Sequence, residues 1–271
     1  MARSGMPRAR DAHPARRALL AGAAGWAGTL ALAGACGTPT PPGARERSGT
    51  LATSRWPGQT PRWRLLRPDP AAVPAPPLVV ALHGRGGGAD DAFRLGLPAA
   101  AVQAGLAMAS VDGGETYWHP RRGSDTAGMV LHDLLPLVQA EGVAPAPIGV
   151  LGWSMGGYGA LWLAASAPES VGAAAGLGSA LWTSPGASAA GAFDDRDDFV
   201  SHDVFARRSA LAQRPVRLAC GRADPFLAAN RAFAAGLPAG ALAVDDGGHD
   251  DDFWRARGIP LLSWFAEVLR R

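Results

Sequence analysis

The strongest constraint on this chain is an alternation. From Arg62 onward, short apolar runs take turns with longer stretches of helical periodicity. The runs are WRLLR (63–67), LVVAL (78–82), LAMASV (106–111), PIGVL (147–151), VGAAAGL (171–177), VRLAC (216–220) and ALAVD (241–245). Helical candidates lie between or after them at 90–104, 125–140, 155–167, 200–212, 225–235 and 253–269. LVVAL, PIGVL and VGAAAGL are apolar throughout, which suits strands buried on both faces. A mainly parallel sheet with helices on each side is the fold class that follows. The longest irregular piece, 180–199, is expected to form a small lid or a wall. Its acids Asp194, Asp195, Asp197 and Asp198 lack a calcium-loop spacing and read as a solvated face.

One strand–helix junction is unusual. Directly after PIGVL the chain reads LGWSMGGYG, with Ser154 among four glycines. Glycine weakens helices and strands alike, so that density needs a reason. GWSMG is a G-x-S-x-G pentapeptide between a predicted strand and a predicted helix. This is the setting of a nucleophile elbow, a turn so sharp that the residues two positions either side of the serine must be small. The serine is then held on a strained backbone at the start of a helix, where N–H groups and the helix dipole face a developing oxyanion. The alternative, a glycine-rich turn that only packs helix on strand, does not account for the flanks.

A serine hydroxyl is a weak nucleophile and needs a base, and the base needs an orienting carboxylate. With an elbow of this kind the chain order is serine, acid, histidine. Asp224 follows the run VRLAC in GRADPF, and His249 follows the last run in DGGHDDDFW. His132 and His202 sit in predicted helices, His13 lies in the leader, and His83 reads as a loop-ordering residue. For the acid, Asp245, Asp246, Asp250, Asp251 and Asp252 compete with Asp224. They stand too near His249 in sequence to turn easily onto its ring. The oxyanion donors are expected to be the backbone N–H of Met155 and that of Arg85 in HGRGGG (83–88), with Gly86 the alternative to Arg85.

LHGRGGG, VDGGETYWHP, GWSMGGYGAL, GRADPF and GGHDDDFW occur in an order and spacing that resemble the α/β-hydrolase superfamily. Within it they resemble the esterase branch that includes S-formylglutathione hydrolases, feruloyl-type carbohydrate esterases and mycolyltransferases. The likeness runs from about Leu78 to about Leu269. It implies an α/β-hydrolase fold, nucleophile Ser154, acid Asp224, base His249 and oxyanion amides at Arg85 and Met155. Mycolyltransferases use Glu as the acid where this chain offers Asp224. S-formylglutathione hydrolases are cytoplasmic, whereas this leader points outward. Trp118 and His119, with Arg121 and Arg122, are candidates for the substrate groove, against the alternative of a loop stapled by a buried Trp. Trp153 is expected beneath the elbow, and Trp182 at the acyl pocket.

The first residues differ from the rest. Paired Arg16-Arg17 precede an uncharged run from Ala18 to Ala35, then Cys36. This is the layout of an export signal; the twin arginine resembles a Tat signal, and LAGAC resembles a lipobox with Cys36 as the lipidated residue. Ala33 stands where Leu is usual in a lipobox. Residues 37–61, rich in Pro, Gly, Ser and Thr, are expected to be a flexible tether, leaving 62–271 as the catalytic domain. The net charge of +3 resides in the leader, because from residue 37 on 21 Arg face 22 Asp and Glu. That balance gives no basis for nucleic-acid binding, and membrane attachment is expected only through a lipid on Cys36. Cys220, inside an apolar run, is expected to be an inert buried thiol.

The resulting expectation is a serine esterase acting outside the cytoplasm on a small-molecule, lipid or carbohydrate ester. It needs neither metal nor organic cofactor, and no partner or oligomeric state is implied. An acyltransferase of mycolyltransferase type is the first alternative and a non-catalytic binding protein on a hydrolase scaffold the second. The chain is too short for the propeller of a propeller-bearing peptidase, and its histidines show no metal-ligand spacing for a metallohydrolase.

Overall fold

A computed structural model of the chain describes residues 40–271. The twin arginine, the apolar leader run and Cys36 lie outside the described residues. Each apolar run becomes a strand. With one further strand ahead of them, β1 (Arg45–Thr50), these are in chain order β2 (Arg62–Arg67), β3 (Leu78–Leu82), β4 (Ala107–Val111), β5 (Ile148–Trp153), β6 (Val171–Leu177), β7 (Val216–Gly221) and β8 (Leu242–Asp245). They form one sheet in the order β1-β2-β4-β3-β5-β6-β7-β8. The β1–β2 and β2–β4 pairs are antiparallel; every pair beyond them is parallel. This is the mainly parallel sheet that the alternation implied and the α/β-hydrolase fold that the resemblance implied.

Leu78, Val80 and Leu82 of β3 enter the core on one face of the sheet, and Val79 and Ala81 enter the core on the other. The first face is covered by α2 (Met155–Ser166), by α4 (Leu227–Ala234) through Phe233, and by the helical stretch Thr126–Met129, which passes through a π turn at Val130–Leu134 into Leu135–Ala140. The second is covered by α1 (Leu97–Gln103) and α5 (Asp251–Val268). A buried strand must be uniformly apolar because both its faces meet helices. In register, Leu82 lies beside Gly152 and Trp153 beside Leu177, so β3, β5 and β6 end together at one edge of the sheet.

Three expectations change. The tether of 37–61 is structured over much of its length: β1 pairs along β2, the Leu51 N–H bonds the Pro61 carbonyl at 2.7 Å, and Leu51 is buried. All six β1 residues are exposed, so the strand carries no apolar alternation and is held by its backbone ladder. The predicted helix at 90–104 breaks at Gly96 (φ 75°) into Asp91–Arg94 and α1. The predicted helix at 200–212 starts earlier, as α3 (Arg196–Ser201), because the Asp195 side chain caps it by accepting the Asp198 N–H; a separate turn, Arg208–Leu211, follows. Among the described residues no helix is long and apolar enough to cross a membrane.

Candidate active site

The edge where β3, β5 and β6 end carries the serine. Ser154 has φ 54° and ψ −120°, one of three non-glycine residues with positive φ among those described. Such a backbone is held only by its surroundings. Here the Ser154 N–H donates to Leu177 O at 2.9 Å, and the Ser154 carbonyl accepts from Ala180 N at 2.9 Å. The flanking glycines are required sterically. A Cβ on Gly152 would meet the Gly156 backbone, and one on Gly156 would meet the Leu82 carbonyl.

The β7 and β8 ends bring the other two groups. Arg222 N bonds Asp245 O at 2.8 Å and Ala223 N bonds Gly247 O at 3.0 Å, which ties the Asp224 loop to the His249 loop. His249 Nε2 then lies 2.8 Å from Ser154 Oγ, and His249 Nδ1 lies 2.8 Å from Asp224 Oδ2. Both are within proton-transfer reach. Asp224 Oδ1 accepts the Phe226 N–H at 2.8 Å, and its side chain has no solvent exposure. The competing acids are engaged elsewhere. Asp245 pairs with Arg257, Asp246 with Arg222, Asp251 with Arg94 and Asp252 with Arg255, while Asp250 caps α5.

The Ser154 cleft, about 270 Å³, is lined by Arg85, Gly86, Trp153, His249 and Trp254 among others. Among the described residues the Arg85 and Met155 amides donate to no protein acceptor, so both remain available to an oxyanion. The loop that presents Arg85 is held by His83. Its Nε2 accepts the Gly113 N–H at 2.9 Å, so the ring proton is on Nδ1, which donates to Gly84 O at 2.7 Å. Burial lowers the His83 pKa, which favours this neutral tautomer.

Trp118 and His119 do not reach the groove. Both side chains are fully buried, and neither lines the cleft. Trp118 donates from Nε1 to His83 O at 3.2 Å and so staples the loop, as the alternative reading had it. His119 lies against Phe193, Tyr158 and His202. Trp182 is half-buried and approaches His249 at one remove: its ring is 5.8 Å from Phe226, which is 5.2 Å from His249. Trp153 packs beneath the elbow against Trp254.

Sequence reasoning assigned no role to Phe226 or Trp254, whose rings flank His249, each 5.2 Å from it. Both belong to stretches quoted for other residues, GRADPF and GGHDDDFW, but an aromatic two or five positions from a catalytic group gives no direction by itself.

The family model described as "Putative esterase" matches residues 80–256, a span that holds Ser154, Asp224 and His249. The chain belongs to this esterase family. It is thus an enzyme of the esterase class, and its sheet is the esterase fold. An S-formylglutathione hydrolase from Agrobacterium tumefaciens superposes on the esterase with a TM-score of 0.71 at 18% identity, covering 85% of this chain and 98% of the other. A ferulic acid esterase gives 0.71 at 16%, covering 83% and 98%. MPT51 from Mycobacterium tuberculosis gives 0.68 at 17%, covering 83% and 99%. At these identities the likeness is one of fold. No curated protein sequence matches the esterase.

Proposed function

We propose that the chain hydrolyses carboxylic esters outside the cytoplasm through an acyl-enzyme on Ser154. The observation that carries this reading is the continuous relay from Ser154 Oγ through His249 to the buried Asp224, with both hydrogen bonds at 2.8 Å. His249 Nε2 takes the hydroxyl proton as Oγ attacks the ester carbonyl. Asp224 holds the Nδ1–H tautomer and faces the imidazolium that forms. The amides of Arg85 and Met155 receive the oxyanion; one such donor is worth about 10²–10³ in rate. His249 then protonates the departing alcohol, and water, deprotonated by the same ring, releases the acid.

The alcohol side of the ester is read as polar. A groove of about 520 Å³ shares Gly86, Gly87 and Asp91 with the Ser154 cleft and continues past Trp56, Gln59 and Asp112. Carboxylates and an amide beside one indole suit a hydroxylated alcohol. The same groove would suit an acceptor alcohol in place of water, which is the observation favouring an acyltransferase as second reading. Export and lipid attachment at Cys36 rest on the twin arginine and LAGAC; the intact mass of the native protein tests them.

The deciding experiment is a ladder of p-nitrophenyl esters from acetyl to palmitoyl with the purified chain and Ser154→Ala. Turnover that disappears in the variant, with an unchanged circular dichroism spectrum, supports the reading. Equal turnover by both proteins removes Ser154 from the mechanism.

A further inference from the structure

Away from Ser154, three side chains form a cluster that ester hydrolysis does not use. His119, Asp198 and His202 offer one ligand atom each, and these atoms all lie within 4.8 Å of one another. His119 is fully buried, and the Asp198 and His202 side chains are 11% and 14% exposed. Asp198 and His202 stand four residues apart at the end of α3, so they share one face.

The hydrogen bonding around His119 is over-supplied with acceptors. Its Nδ1 lies 3.0 Å from Pro120 O and 3.8 Å from Asp198 Oδ1, while its Nε2 lies 3.1 Å from Ala192 O. A neutral imidazole has one N–H, so one ring nitrogen directs a lone pair at oxygen. A cation placed there would take that lone pair. The remaining contacts have the form of an outer coordination shell. With the His119 proton on Nε2, Ala192 O accepts it, and the Asp194 N–H donates to Asp198 Oδ2 at 2.7 Å. That leaves His119 Nδ1 and Asp198 Oδ1 directed at the same space, where His202 Nδ1 stands 2.8 Å from Asp198 Oδ1 and 2.9 Å from the Asp198 carbonyl, contacts that a bound ion would replace. A ligating histidine whose other nitrogen is fixed by a carbonyl is the usual arrangement at protein metal sites.

We propose that His119, Asp198 and His202 bind a divalent transition-metal ion of the zinc class, which clips the segment 180–203, α3 included, to the loop at Pro120. Two imidazoles and one carboxylate form a donor set suited to zinc, at about 2.0–2.2 Å per ligand, which places tetrahedral ligands about 3.4 Å apart. The cluster reaches that spacing by small side-chain movements. A surface hollow of about 310 Å³, lined by Pro120, Arg121, Arg122, Asp194, Asp195 and Asp198, meets the cluster at Asp198. The role is structural. Tyr158 of α2 donates to the His202 carbonyl at 2.7 Å, and Phe193 stacks on His119, so the clip anchors the aromatic wall that continues to Trp182.

The test uses the full chain, stripped with chelator and titrated with Zn²⁺ alone, with metal content, calorimetry and thermal unfolding as readouts. One equivalent is expected, with a Tm that rises with Zn²⁺ concentration. The near-isosteric Asp198→Asn and the partly exposed His202→Gln should each weaken uptake at least about tenfold. Co²⁺ should give tetrahedral visible bands that both variants lose. Failure of the wild-type chain to take up an equivalent overturns the proposal. So does uptake that is undiminished in both variants, which would locate the ion elsewhere. If a variant does not fold, the wild-type stoichiometry and cobalt spectrum still decide, since an octahedral all-oxygen spectrum also excludes the site.

Discussion

Replacing Asp224 by Asn is the sharpest probe of the relay, because the structure fixes which way the new amide must point. Asp224 Oδ1 accepts the Phe226 N–H at 2.8 Å, so the carbonyl oxygen of Asn must occupy that position. Its NH2 group then takes the place of Oδ2, 2.8 Å from His249 Nδ1. Two donors cannot face one another, so His249 gives up the Nδ1 proton and carries it on Nε2, pointing at Ser154. In that tautomer the ring has no lone pair for the serine proton. The same change in a serine protease triad lowers kcat by about 10⁴, or about 5.4 kcal/mol at 1.36 kcal/mol per tenfold. The Asp224 side chain has no solvent exposure, so it meets no substrate and KM should change little. The assay is steady-state hydrolysis of the best p-nitrophenyl ester with matched thermal unfolding. A kcat within tenfold of wild type in a folded variant would refute the tautomer argument and point to another acid.

His83→Ala removes the acceptor of the Gly113 N–H and the donor to Gly84 O, loosening the loop that presents Arg85; kcat should fall about 10–100-fold without loss of the serine's fluorophosphonate labelling. The His83 pKa lies below its ordinary value in the folded chain because of burial. The unfolded chain therefore takes up a proton that the folded chain refuses, so this contribution is present above about pH 6.5 and lost as pH falls below it. Thermal unfolding from pH 8 to 5 should show a shallower acid decline in the variant. Cys220 is buried and its thiol pKa is pushed up to about 12 by burial and by nearby Asp224. Iodoacetamide at pH 8 should modify it only after denaturation, as peptide mapping would record; labelling of the native chain would contradict its burial.

The strands from β2 on, the mainly parallel character of the sheet and the serine elbow were legible in the sequence because each depends on a local rule. Doubly buried strands must be apolar throughout, and a turn as tight as that at Ser154 admits only glycine at positions 152 and 156. Chain order named Asp224 and His249. The tertiary structure decided the rest. β1 is an edge strand with no buried face, so RERSGT showed no periodicity, and only pairing with β2 makes it a strand. Trp118 and His119 are polar-tipped residues beside a catalytic loop, and composition alone cannot say whether such a ring turns outward or inward. Packing against His83, Tyr158 and Phe193 turns both inward. Residue type and spacing determine what chemistry a chain has available. Which distant groups meet depends on the free energy of burying whole surfaces, and that is a property of the assembled fold.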